Sequence, residues 1–358
     1  MRTVVINLLI ACIRAEMLIF VLKTGFLYKQ PSSLKNRVII LATLLAFIIA
    51  CNSSGEKNEI KQRKEPSNKE ELGELLFFDP ILSRDKSISC ASCHKPEFAF
   101  GDNVALSFGV DSAQGARNAP SAMNVSSRSF FFHDGRAETL EDQAIGPIEN
   151  PVEMDLPINE AVKRVNEDAE YAKFFMKIFG KKATRENLAE AIASYERTLE
   201  TGDTPFDHYM QGEEEAMSES AKRGQEIFNE KGKCFDCHFG PDFTGDEFRN
   251  IGLYNAKDLS DAGRFAVTKD SSDIGRFKVP GLRNIAITAP YMHNGMFRTL
   301  REVIDFYNDP KQFVKGSVNI DTLLKKPLNL SEQEKQDLEA FLHALTDARF
   351  MKSVQAKR

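Results

Sequence analysis

Apolar positions recur along the chain with helical spacing. Leu188, Ile192, Tyr195 and Leu199 fall on one face, and so do Leu338, Phe341, Leu342 and Leu345, which predicts two amphipathic helices. Ser331-Glu-Gln-Glu334 has the form of a capping box and predicts the start of the second. Two other segments, Gly73-Glu-Leu-Leu-Phe77 and Gly224-Gln-Glu-Ile-Phe228, carry the same landmarks: a glycine, an aliphatic residue three places on and a phenylalanine four places on. Matched landmarks of this kind are what a duplicated module leaves behind. Strand-like alternation is scarce, and loops holding Gly, Asn, Asp and Pro join the helical segments, notably across 242–279. The expected fold class is mainly α, with two related domains, 71–208 and 209–358, and long loops.

The N-terminus reads as an address. Residues 36–51 have a basic flank in Lys35 and Arg37, an apolar run of secretory length, and small Ala50 just before Cys51. The pattern resembles a bacterial lipoprotein signal, which implies cleavage before Cys51, lipidation of that cysteine and attachment to a membrane surface. An uncleaved membrane-spanning anchor is the alternative. Upstream, residues 4–27 are apolar but broken by Arg14 and Glu16. Residues 1–50 are therefore expected to be an export segment. The polar stretch that follows, 51–70, is expected to be a flexible tether.

Charge narrows the choice of partners. The chain has 358 residues and a net charge of −5; without residues 1–50, which hold six basic residues and only Glu16 of the acidic ones, 41 basic residues face 51 acidic, a net −10. That balance, with no basic stripe interleaved with aromatics, argues against nucleic acid and suits a partner with a positive face, or simply solubility.

Six cysteines suggest disulfides until their positions are read. Cys12 and Cys51 stand alone, whereas Cys90-Ala-Ser-Cys93-His94 and Cys234-Phe-Asp-Cys237-His238 repeat one motif 144 positions apart. Two cysteines three apart can each form a thioether to a haem vinyl group, and the next residue is then placed to offer the iron an imidazole. Zinc is the competing use of CxxC, but two Cys and an adjacent His cannot close a tetrahedral site at this spacing. Two covalently bound haem c groups are expected, with His94 and His238 as proximal ligands.

Beyond these motifs the chain resembles the bacterial dihaem cytochrome c peroxidases and the related methylamine-utilisation protein MauG. The resemblance runs from about Leu72 to Asp347. It is carried by Leu76-Phe-Phe-Asp-Pro80, Gly115-Ala-Arg-Asn-Ala-Pro120, Phe132-His-Asp-Gly-Arg136, Gly146-Pro147, Gly263-Arg-Phe265, Leu282-Arg-Asn-Ile285 and Ala289-Pro-Tyr-Met-His293. It implies two cytochrome-c-like domains, the first activating hydrogen peroxide and the second relaying electrons from a small c-type cytochrome. It also implies one calcium ion at Asn118, Thr288 and Pro290, a proton shuttle at Glu153 and a hydrogen-bonding neighbour at Gln143. Periplasmic location and a homodimer belong to the same expectation.

Three departures stand out. Val110 occupies the place of the distal histidine that blocks the first haem in many such peroxidases, so that iron is expected to be open at rest. Tyr307, as in MauG, stands where those peroxidases place a methionine ligand to the second haem; Met292 and Met296 are the alternatives. His133 replaces the tryptophan between the haems, and the chain has no tryptophan at all. His133 is expected to bridge the haems electronically or by hydrogen bonding. The leading expectation is a peroxidase. A MauG-like oxidase acting on a protein or small molecule, and a dihaem electron carrier without catalysis, are its rivals.

Overall fold

The computed structural model describes residues 63–351. The expected export segment, residues 1–50, and the lipidation site, Cys51, lie outside the described residues. Helices run in the order α1 (Lys69–Phe78), α2 (Cys90–Cys93), α3 (Leu140–Glu149), α4 (Ile158–Glu167), α5 (Ala169–Phe179) and α6 (Arg185–Glu196). They continue as α7 (Pro205–Met210), α8 (Glu219–Asn229), α9 (Phe265–Thr268), α10 (Leu300–Asn308), α11 (Pro310–Phe313) and α12 (Glu332–Ala344). Among the described residues the only sheet pairs β1 (Phe248–Arg249) with β2 (Phe277–Lys278), antiparallel, with Phe248 opposite Lys278. The fold is mainly α, as its sequence predicts.

Each half is organised by a crossing of two helices at a glycine. A Cβ built on Gly73 of α1 would lie 1.9 Å from the Ala191 carbonyl oxygen of α6, and one on Gly224 of α8 would lie 1.9 Å from the Asp337 carbonyl oxygen of α12. Only glycine lets backbones come that close. One turn on, Phe77 meets Tyr195 edge-to-face at 5.2 Å, and Phe228 meets Phe341 edge-to-face at the same 5.2 Å. Phe77 and Phe228 are fully buried, which is worth roughly 1.5–3 kcal/mol each. Caps fix where the long helices begin: Asn68 accepts from the Glu71 amide at α1, and Ser331 and Glu334 form the predicted box at α12.

Residues 63–70 correct part of the tether expectation, because they are packed rather than free. The Arg63 guanidinium lies 4.4 Å over the Tyr171 ring and bonds Asp79, Asp168 and Glu170, while Lys173 and Lys177 hold Glu65. A planar five-donor cation suits such a carboxylate cluster.

A second duplicated unit follows each attachment loop. The segment from Phe131 closes a bridge to Ala137 and leads into α3 from the Thr139 cap; that from Tyr291 closes a bridge to Phe297 and leads into α10 from Thr299. Both carry a positive-φ residue (Phe132, Met292), then histidine (His133, His293), and both turn at a left-handed glycine (Gly135, Gly295). The halves share an apolar cluster in which Phe77, Met123, Tyr195 and Leu199 meet Ile287 and Phe350.

Candidate functional site

α2 is a single turn that puts Cys90, Cys93 and His94 on the wall of a cavity of about 1020 Å3. That is the top of the range of roughly 300–1,000 Å3 usual for ligand and cofactor sites. The His94 Nδ1 lies 3.0 Å from the Phe100 carbonyl oxygen, and the His238 Nδ1 lies 2.9 Å from that of Phe243. A carbonyl can only accept, so Nδ1 carries the proton in both rings and Nε2 keeps its lone pair. Burial lowers the pKa of both histidines, which favours the neutral imidazole. Burial raises the thiols of all four motif cysteines, Cys237 to about 11 and Cys234 to about 12. Among the described residues no cluster of three or more His, Cys, Asp or Glu is arranged to hold a metal, so the zinc alternative finds no further ligands.

Gln143 of α3 and Glu153, in the turn beyond it, line the same cavity as His94. The Asn150 amide donates to Glu153 Oε1 at 2.6 Å, and the Glu153 carbonyl accepts from the Val110 amide at 2.8 Å. The loop bearing Val110 therefore clamps the turn bearing Glu153. A Cβ on Gly109 would lie 2.3 Å from the Val152 oxygen and 2.4 Å from that of Glu153, so this contact too requires glycine. Val110 is buried at 2 % exposure and is not part of the cavity wall.

His133 and His293 meet where the halves join. The His133 Nε2 donates to the Asn118 carbonyl at 3.0 Å, and the Asn118 amide donates to the His293 carbonyl at 2.7 Å. His293 stacks on Phe277 at 3.8 Å. Arg117 spans the junction between Asp134 at 2.6 Å and Asp261 at 2.7 Å. Burial, the largest cause, lowers both imidazoles to about 4, so they are neutral across the physiological range.

On the second attachment motif, Tyr307 of α10 faces the sulfurs of Cys237 and Cys234, and burial pushes its ionisation well above the usual phenol range. Its hydroxyl makes no hydrogen bond to any described residue. Met292 packs against the core of this half, whereas Met296 is 39 % exposed. At Asn118 the side-chain amide donates to the carbonyls of Val104 and Ala105, both at 3.1 Å, which leaves Oδ1 unengaged. The Thr288 and Pro290 carbonyls likewise accept no hydrogen bond from a described residue.

One wall residue was not singled out from sequence. Glu196, the last residue of α6, is 6 % exposed, lines the cavity, and has a carboxyl oxygen with no hydrogen-bond partner. Its signal was the internal repeat. Gly73 meets Ala191 as Gly224 meets Asp337, so five residues on, Glu196 pairs with Leu342 of the other half.

Comparison with known proteins agrees with this arrangement. A family model described as di-haem cytochrome c peroxidase matches residues 67–215, and one described as cytochrome c matches residues 221–346. The chain is 37% identical to a methylamine utilization protein MauG of Methylorubrum extorquens, over 76% of this chain and 77% of that one. It is 36% identical to a cytochrome c551 peroxidase of Pseudomonas aeruginosa, over 80% of this chain and 81% of that one. Among solved structures, a MauG-like protein associated with microbial copper homeostasis matches at 32% identity and a TM-score of 0.72, over 80% of this chain and 91% of that one. The diheme peroxidase BthA from Burkholderia thailandensis matches at 26% identity and a TM-score of 0.71, over 80% and 88%. Sequence, fold and paired attachment motifs agree, and the chain belongs to the dihaem cytochrome c peroxidase family, which also contains MauG.

Proposed function

We propose that the chain is a peroxidase that reduces hydrogen peroxide to water with two electrons taken singly from a small c-type cytochrome. The family carries two covalently bound haem c groups, and the residues fit them. Cys90 and Cys93 would hold one with His94 on its iron, and Cys234 and Cys237 the other with His238 and Tyr307. Both histidines leave Nε2 free, and the Tyr307 hydroxyl is otherwise unpaired. Bound haem supplies a redox-active iron at which peroxide is held and electrons are exchanged.

The observation that carries the reading is Glu153 on the same cavity as His94, with Gln143 on the same wall and Asn150 restraining Glu153. A carboxylate fixed in one orientation is suited to take a proton from one peroxide oxygen and return it to the other. Gln143 offers an amide that orients the same group. Val110, tucked out of the cavity, leaves the face opposite His94 without a blocking side chain on that loop. Electrons entering on the His238 side pass the junction at His133, whose hydrogen bond to Asn118 ties it to the backbone of His293. A calcium ion at Asn118, Thr288 and Pro290 would take the oxygens left unengaged there, which suit a hard cation. No helix among the described residues is long and apolar enough to cross a membrane. The proposed anchor is lipid at Cys51, on the periplasmic side of the envelope, and the proposed assembly is a homodimer.

The test is peroxide-dependent oxidation of reduced small cytochrome c by the haem-loaded chain from residue 52, used fully oxidised. Rapid turnover is expected, reduced by about 10²- to 10⁴-fold in Glu153→Gln, the usual contribution of a positioned acid–base group. Failure of the oxidised protein to turn over, with a long-lived spectral change after peroxide, overturns the reading in favour of a MauG-like oxidase. Tyr307 and Val110 favour that second reading; the absence of any tryptophan for a hole-hopping path to a protein substrate weighs against it. A pure electron carrier has no use for Glu153 and Gln143 on an open cavity.

A further inference from the structure

Glu196 is a carboxyl in a place the fold otherwise fills with an apolar side chain. In the second half its counterpart Leu342 is buried core, flanked by Phe341 and Leu345 as Glu196 is by Tyr195 and Leu199. All six residues are at most 8 % exposed, so the substitution of Glu for Leu is not an adjustment to solvent. Burying a carboxyl without a hydrogen bond costs free energy that a leucine would not, which makes packing a poor reason for its presence. The side chain reaches the wall of the cavity that holds Cys90 and His94, and it is close enough to Cys90 to act on that thiol electrostatically.

We propose that Glu196 is a proton-holding residue of the first haem site, binding one proton from water when that haem gains an electron and releasing it when the electron leaves. The inference rests on the haem sites proposed above. The balance is simple: the donor cytochrome supplies the electron, solvent supplies the proton, and the carboxylate becomes a carboxylic acid, so the cavity's net charge does not change. A charge change in a low-dielectric cavity is costly, and a carboxyl able to cancel it lowers the cost of each one-electron step.

The surroundings leave Glu196 free to do this. Burial, the dominant cause, raises its pKa to about 8; Arg197, on its own helix end, lowers it, and Glu141 of α3 raises it. Those two groups pair with each other at 2.8 Å and 2.9 Å, so neither is committed to Glu196. No charged group on α1 or α4, the other helices packed on α6, acts on it; Glu74 of α1 acts on Tyr195 instead. Cys90 becomes an uncharged thioether once haem is attached. Glu153, Asp134, Asp242, Asp258 and Asp261 also line the cavity. Arginines pair with Asp134, Asp242 and Asp261, and Glu153, which acts electrostatically on His94, is the necessary control.

The experiment is a spectroelectrochemical titration of the first haem from below to above pH 8, on matured protein whose content of two haems is established beforehand. Loss of haem would count against the proposed sites, and so is read separately from the redox result. The wild-type midpoint potential is expected to fall with pH, approaching about 59 mV per unit, one proton per electron. Glu196→Gln and Glu196→Leu, the latter copying Leu342, are expected to flatten that slope, and Glu153→Gln to keep it. In parallel, the reduced-minus-oxidised infrared spectrum of wild type is expected to show a new protonated-carboxyl band that persists in Glu153→Gln. A flat wild-type slope, a slope that survives in both Glu196 variants, or a carboxyl band lost in Glu153→Gln overturns the proposal. If neither variant matures, Glu196→Asp decides: its carboxyl band is expected to shift in frequency from that of wild type, and an unshifted band overturns the proposal.

Discussion

His94 and His238 each spend one ring nitrogen on a backbone carbonyl six or five residues ahead, and that bond settles which nitrogen can ligate. His208, at 39 % side-chain exposure, uses its ring differently. Its two nitrogens bridge Asp203 at 2.7 Å and Glu213 at 3.0 Å. These two carboxylates, Asp203 first, raise its pKa to about 8. A cation stabilised in the folded state adds stability that is complete below the unfolded value near 6.5 and is lost as pH rises through about 8. Melting temperatures of wild type and His208→Gln are therefore expected to differ at pH 6 and to converge by pH 9; a constant difference would mean the ring is held neutral. The two CxxCH motifs were legible in sequence because thioether chemistry dictates order and spacing. Glu196 was not, because one Glu at a helix end looks like any solvated carboxylate until the fold closes over it.

At the scale of elements, the two helix crossings are the closest glycine approaches among the described residues. Ala at Gly73 or Gly224 would push a methyl group into a carbonyl oxygen of the facing helix, with backbone on both sides and no flexible side chain to yield. Overpacking of this kind costs about 1–3 kcal/mol. Gly73→Ala and Gly224→Ala are expected to lower the chemical-denaturation midpoint accordingly, whereas Gly202→Ala, with nothing within 4 Å of its added Cβ, should stay within about 0.5 kcal/mol of wild type. Equal loss at all three positions would show helix propensity or chain entropy at work rather than the crossing. The Gly-to-Phe landmarks marked a repeated helix whose glycine and phenylalanine, one turn on, share a face; that this face is a crossing emerges only from the fold. The second duplicated unit, from Phe131 and from Tyr291, was harder to read. Its shared features are left-handed backbone and a turn, and only His133, His293 and the following glycines mark them in the sequence.

For the whole molecule, that second unit sets the two similar halves apart at one position. Counting from His133 and His293 into the helices that follow, Pro147 of α3 and Tyr307 of α10 occupy the same position. Pro147 lines the first cavity and offers an iron no donor, which suits the open site proposed for peroxide. Tyr307 offers a phenol whose oxygen makes no hydrogen bond to a described residue and is therefore available to a ligand. Ligation to a cationic iron would both satisfy that oxygen and offset the burial that otherwise opposes its ionisation. A phenolate favours the oxidised metal, and a thioether raises the potential. Tyr307→Met is thus expected to raise the midpoint potential of the second haem by on the order of 100 mV or more, within the ≈0.8 V range that axial ligands command. The first haem should be unaffected, and both are read in one spectroelectrochemical titration. An unchanged second potential would remove Tyr307 from the iron and leave Met292, packed in the same core, as the candidate. With the potential raised, electron entry from a small cytochrome becomes more favourable, so turnover limited by that step should speed up while a high-potential state held on this half should shorten.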